Sequence, residues 1–262
     1  MKPSVCVVIC YWIGRSPKAL LRLLAQMEKY PANEPFDVLI VCNGGDEKPL
    51  EVPAGFQGLR IEVINRKNEG WNLGAWQAGW KERPGYDYYL FLQAECFIKE
   101  QDWLRRYVHR FQTDQGIGLL GEHIMWNAMT WDYIRKCTEL DLGAASGVAN
   151  TIDKYQANLS AFGVDPGDTG THLVSIILFT SREILEQVNG FPLMGESYIE
   201  AVSCEIGLSK QIQNKGYRIS QLTDTAFWKI GHRQWTASDR IKMKAVNALK
   251  NSVRRIIPRR AS

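Results

Sequence analysis

No run in the 262 residues approaches the ~18 apolar positions of a membrane-spanning helix, so no span is predicted. The opening MKPSVCVVIC reaches polar positions too early for a secretory signal, and the folded part is expected in the cytosol. The six cysteines, Cys6, Cys10, Cys42, Cys96, Cys137 and Cys204, include no CxxC pair. Four of them lie in or beside apolar strand-like runs, which favours reduced thiols over disulfides or zinc ligands. There is no internal repeat, no low-complexity tract and no recognisable nucleic-acid module, so nucleic acid is not an expected partner. A Gly-rich basic phosphate loop is also missing after the first apolar run: CYWIGRSPKAL offers only Gly14, Arg15 and Lys18, which argues against a nucleotidyltransferase.

What is present fits an ordinary globular chain, 45% apolar and 23% charged, able to bury one sizeable core. The net charge of +4 is unevenly spread. Residues 239–262 hold eight Lys or Arg against one Asp, a surplus of seven, which leaves the first 238 residues at three negative. Apolar positions from Ile241 to Ile257 recur there at mostly helical intervals among the basic ones. Two readings stand: an amphipathic helix on an anionic membrane surface, or a tail that is solvated or packed on the domain or a partner.

Strand-like and helix-like segments alternate. SVCVVICYW, FDVLIVCNGG, LRIEVINR, YDYYLFLQAE and GIGLLGE read as strands. Between them, SPKALLRLLAQMEKY (with Ser16 placed to cap and Pro17 in the first turn), NLGAWQAGWKE and QDWLRRYVHRFQ read as helices. This predicts an α/β fold with a mostly parallel sheet flanked by helices. Ligands bind beyond the carboxyl ends of such strands, so Cys10–Trp12, Asn43–Gly45 and Gln93–Glu95 should line one crevice. Gln93 and Glu95, two apart on an extended chain, would face the same side and could offer oxygen to one ion or substrate.

From Glu122 to Thr171 the pattern loosens into what reads as a long irregular insert or lid, ending in GVDPGDTGTH. LVSIILFTSREILEQVNGF then reads as a strand and a short helix, and SYIEAVSCEIGLSKQIQNKGYRI as a helix ended by Gly216 and a strand from Tyr217. Nine tryptophans are many for this length; Trp71, Trp76, Trp80, Trp126 and Trp131 are expected near the crevice, as sugar-stacking faces or as core.

Taken in order, VCNGG, NRKNEGWNLGAWQAGW, YLFLQAE and NKGYRI resemble the motifs of a family-2 glycosyltransferase with the GT-A fold, of the kind that builds bacterial surface polysaccharides such as O-antigen. The resemblance covers Ser4 to about Trp235. It implies a domain over 1–238, with a nucleotide-sugar half at 1–121 and an acceptor half at 122–238, followed by the basic tail at 239–262. Donor contacts fall on Tyr11, Asn43, Asn68, Gly70, Asn72, Gln93 and Glu95. QAE stands where the family has its Asp-x-Asp, so a divalent cation, Mn²⁺ or Mg²⁺, would be held by Glu95 with Gln93 and His232. Gln93 could instead bond a sugar hydroxyl, and a metal-independent enzyme is the other reading. Glu205 occupies the position of the catalytic base, with Cys204 before it. Glu196 and Glu200 are upstream rivals, assigned with Trp126 to the acceptor.

The implied activity is inverting transfer of a sugar from a nucleotide-diphosphate sugar to a glycan or lipid-linked glycan. Its expected place is the cytoplasm, peripheral to the inner face of the cell membrane. Because both acidic motifs are altered, the alternative is a module that kept the fold for glycan or partner binding and lost catalysis.

Overall fold

The computed structural model describes residues 2–142 and 151–235. The basic stretch 239–262, for which an amphipathic helix is predicted, lies outside the described residues.

Four parallel strands form one flank of the sheet: β1 (Val5–Trp12), β2 (Phe36–Asn43), β3 (Ile61–Arg66) and β4 (Tyr88–Gln93). The other flank is β6 (Ile117–Gly121), β9 (Ile177–Ser181) and β10 (Arg218–Gln221). The order is β10-β6-β9-β4-β1-β2-β3, with β9 antiparallel to both of its neighbours. Two short antiparallel pairs stand outside the sheet: β5 (Cys96–Ile98) with β11 (Ile230–His232), and β7 (Ile124–Met125) with β8 (His172–Leu173).

Burial on both faces explains the continuous apolar runs of the strands. Along β1, Val5, Val7, Ile9 and Tyr11 face one layer, shared with Leu20, Leu23 and Leu24 of α1 (Lys18–Lys29) and Tyr107 and Val108 of α3 (Arg105–Thr113). Cys6 and Val8 face the other, shared with Trp76 and Trp80 of α2 (Trp71–Glu82) and with Cys204, Leu208 and Ile212 of α7 (Tyr198–Asn214). Each such aliphatic side chain contributes roughly 1.5–3 kcal/mol by leaving water. Gly79 lets α2 close on the sheet, since a Cβ there would lie 2.6 Å from Cγ1 of Val8.

Ser16 Oγ accepts a long hydrogen bond, 3.5 Å, from Lys18 N–H at the start of α1, and Pro17 stands in the first turn with helical φ and ψ. The structure corrects one expectation. The expected long irregular region contains two helices, α4 (Trp131–Leu142) and α5 (Thr151–Ala161), because Trp131, Ile134, Ile152, Tyr155 and Leu159 pack with Ile206 of α7 into a separate small core. Trp76, Trp80 and Trp131 are core residues, 0–4% exposed, because their rings fill the two cores. A short α6 (Arg182–Gln187) follows β9 and is capped by Ser181.

Candidate active site

The chain runs from β1 out to β2 and β3 on one side and returns to β4 on the other, which makes the gap beyond the β1 and β4 exits a topological switch point. There β4 ends at Gln93, and Ala94–Glu95 turn into β5, with Ala94 N–H donating to Cys10 O at 3.0 Å. The turn breaks the two-residue alternation, so Gln93 and Glu95 do not serve one ligand as an extended chain would have them do. Gln93 Nε2 donates to Ser175 O at 2.9 Å, whereas the Glu95 carboxylate meets the guanidinium of Arg15 from the β1–α1 loop.

Ser175, on the approach to β9, joins three elements. Its carbonyl accepts from Gln93 at the end of β4 and from Asn72 Nδ2 in the first turn of α2. Its N–H and Oγ–H both donate to Oε2 of Glu205 on α7, at 2.5 Å each. Glu205 Oε1 lies 3.3 Å from Nε2 of His172, itself 2% exposed, while the Glu205 side chain retains 13% exposure. Gln93, Trp126, His172, Ser175 and Glu205 line a cleft of ≈ 480 Å³, and Trp71 and Tyr198, 48% and 72% exposed, stand on its wall.

Beside this cleft, Glu95, Arg15 and Arg66 all act electrostatically on the half-buried thiol of Cys10, which sets two guanidinium groups against one carboxylate at the end of β1. His232 is paired with Cys96 across β5 and β11 and is 1% exposed. Burial brings its imidazole down to about 4, opposed by Glu95 and reinforced by Arg15, so the ring is neutral at pH 7. Gln234 N–H donates to its Nδ1 at 3.3 Å, which puts the ring proton on Nε2, a buried donor without a hydrogen-bond partner.

That donor set does not suit a divalent cation. Glu95 supplies the single anionic oxygen group and it is paired with Arg15, and His232 presents an N–H where a metal needs a lone pair. No cluster of three His, Cys, Asp or Glu able to hold a metal occurs among the described residues. The set expected at Glu95, Gln93 and His232 is therefore not assembled, because the turn at Ala94 sends the two motif side chains to different partners.

The sequence matches no protein-family model and no curated protein. Its fold does have solved counterparts. A mannosyltransferase of Pyrobaculum calidifontis, PcManGT, solved with GDP-Man and Mn²⁺, superposes with a TM-score of 0.52 at 13% identity, over 86% of this chain and 56% of that one. GalNAc-T7, solved with UDP, GalNAc and Mn²⁺, superposes with a TM-score of 0.57 at 11% identity, over 88% and 44%. The chain thus spans about half the length of either. The fold is GT-A.

Within this GT-A frame the other expected contacts divide. Asn72 and Trp126 line the cleft, and Gly70, at φ +70, starts α2 in the left-handed conformation that brings Trp71 and Asn72 to the cleft wall. Asn68 is exposed on the turn before it. Asn43 is 2% exposed and spent on the protein itself, accepting from Arg66 at 2.7 Å and donating to Trp71 O at 2.9 Å, so it braces α2 and offers nothing to a nucleotide base. Tyr11 donates its hydroxyl to Arg15 O at 2.5 Å and shapes the loop that carries Arg15. Glu200 is also withdrawn from the acceptor: with Ser197 it forms the capping box of α7, and those bonds hold its carboxyl below the usual range. Glu196 is exposed, and its carbonyl accepts from Trp71 Nε1 at 3.2 Å.

The sequence reading missed Ser175, His172 and Tyr198 as site residues. His172 precedes the LVSIILF run and Ser175 interrupts it, and an imidazole and a hydroxyl set into an apolar run were the available signal.

Proposed function

We propose that this chain is an inverting glycosyltransferase that moves a sugar from a nucleotide-diphosphate sugar onto a hydroxyl of a glycan or lipid-linked glycan. The observation that carries this reading is the tie through Ser175, which holds a lone carboxylate, Glu205, in the same cleft as the β4 exit where a GT-A donor is expected. Glu205 takes the acceptor proton as its oxygen attacks the anomeric carbon, and the leaving nucleoside diphosphate departs from the opposite face with the bonding electrons. The negative charge that gathers on the diphosphate is met by Arg15 and Arg66. Trp71 and Tyr198 provide ring faces for sugars. The resemblance to surface-polysaccharide enzymes supports a place in bacterial glycan assembly at the inner face of the cytoplasmic membrane.

Calorimetric titration with UDP, dTDP, GDP and CMP, each with and without Mn²⁺, tests the reading. One nucleotide should bind tightly, indifferent to Mn²⁺ and weakened by Arg15→Ala. Binding that requires Mn²⁺ and Glu95 would replace the assigned charge-handling with a metal site. Donor binding without turnover on any acceptor would favour the non-catalytic module, and no nucleotide binding would overturn the transferase.

A further inference from the structure

We propose that His172 is the positioning partner of Glu205, so that carboxylate and imidazole act as one proton-accepting pair. The inference deepens the transferase reading and rests on it for its catalytic part.

The geometry starts from Gly170. Its carbonyl lies 2.8 Å from His172 Nδ1, and since a carbonyl can only accept, Nδ1 carries a proton. The remaining ring nitrogen, Nε2, faces Glu205 Oε1 at 3.3 Å. In a neutral ring that nitrogen is a lone pair opposed to a carboxylate, a contact that improves when one proton enters it. The ring is held in this orientation by the edge-to-face contact of Trp126, with centroids 5.1 Å apart, and by the β7–β8 pairing of Met125 with His172. The other carboxylate oxygen is fixed by the two Ser175 donors, so Glu205 cannot rotate away. Nearby titratable groups are His123, which feels both His172 and Glu205, and Tyr155 of α5, whose burial keeps its phenol protonated, with Glu205 and Tyr198 adding to that effect.

Within one transfer the acceptor O–H bond breaks and its oxygen bonds to the anomeric carbon. The sugar–phosphate C–O bond breaks with its electrons on the diphosphate, and the proton passes to Glu205 and on to Nε2. It returns to solvent through the cleft, which both residues line, before the next turnover. No oxidant or second reactant is needed.

Two measurements test the pair. In ¹⁵N-histidine NMR of the whole chain, the His172 Nε2 resonance should respond to Glu205→Gln while Nδ1 stays an N–H; an indifferent Nε2 overturns the pairing whether or not the protein is a transferase. In steady-state transfer, His172→Gln, whose amide can donate toward Oε1 but cannot take up the proton, should lower kcat about a hundred-fold with donor KM unchanged. His172→Ala should regain part of that rate with added imidazole. Wild-type kcat in His172→Gln overturns the proposal. A wild-type chain that transfers nothing sinks the transferase reading alone, and the NMR result then decides the pair.

Discussion

Glu205 sits on a helix whose neighbouring side chains are mostly buried, and the three hydrogen-bonding groups around it are supplied by residues 30 or more positions away. If it is the base, Glu205→Gln, which keeps the shape and removes proton affinity, should lower kcat by roughly 10²–10⁴ with nucleotide affinity unchanged, as read by steady-state rates beside calorimetry. Ser175→Ala removes one of the two donors to Oε2 and keeps the backbone one, so a loss of about ten-fold in kcat is expected, in line with a hydrogen bond to a charged group. Glu205 and Gln93, singled out from their motif positions, do fall in one cleft. His172 and Ser175 were not legible, since their closeness to Glu205 is a matter of tertiary register across β8, β9 and α7. Asn43 was misread for a related reason: sequence shows a polar group at a strand exit, and only the packed structure shows Arg66 and Trp71 consuming it.

At the scale of elements, strands and helices with strong periodicity were readable: β1 to β4, α1, α2 and α7 fall close to their predicted stretches. The helices α4 and α5 were not, because Gly, Asp and Thr residues downstream suggested a loop and their apolar faces are narrow, completed only by Ile206 from α7. The capping box of α7 makes a separable prediction. Glu200→Ala should lower the urea-unfolding midpoint slightly and leave kcat within two-fold, because its carboxylate serves Ser197 and not the acceptor. Gly79→Ala should cost more, about 1–3 kcal/mol, since α2 must lift from Val8 to admit the methyl group.

For the whole molecule, stability should carry the mark of His232. Its folded value of about 4 lies below the ordinary 6.5, so between these the unfolded chain binds more protons than the native one, and stability falls as pH drops. The loss begins near pH 6.5 and approaches about 3 kcal/mol below pH 4. Urea unfolding at pH 7 and pH 4.5 should show His232→Gln losing about 2 kcal/mol less than wild type over that interval.

The sheet order has a further consequence for synthesis. Strand β9 is made some 60 residues after β6 yet lies between β6 and β4. Until residue 181 has left the ribosome, β4 has no neighbour on one side, and the most apolar strands of the nascent chain present an open edge for several seconds at about 5–20 residues per second. Holdase chaperones are expected to matter for yield, and a chain cut after Gly121 should aggregate instead of behaving as a free-standing nucleotide-binding unit.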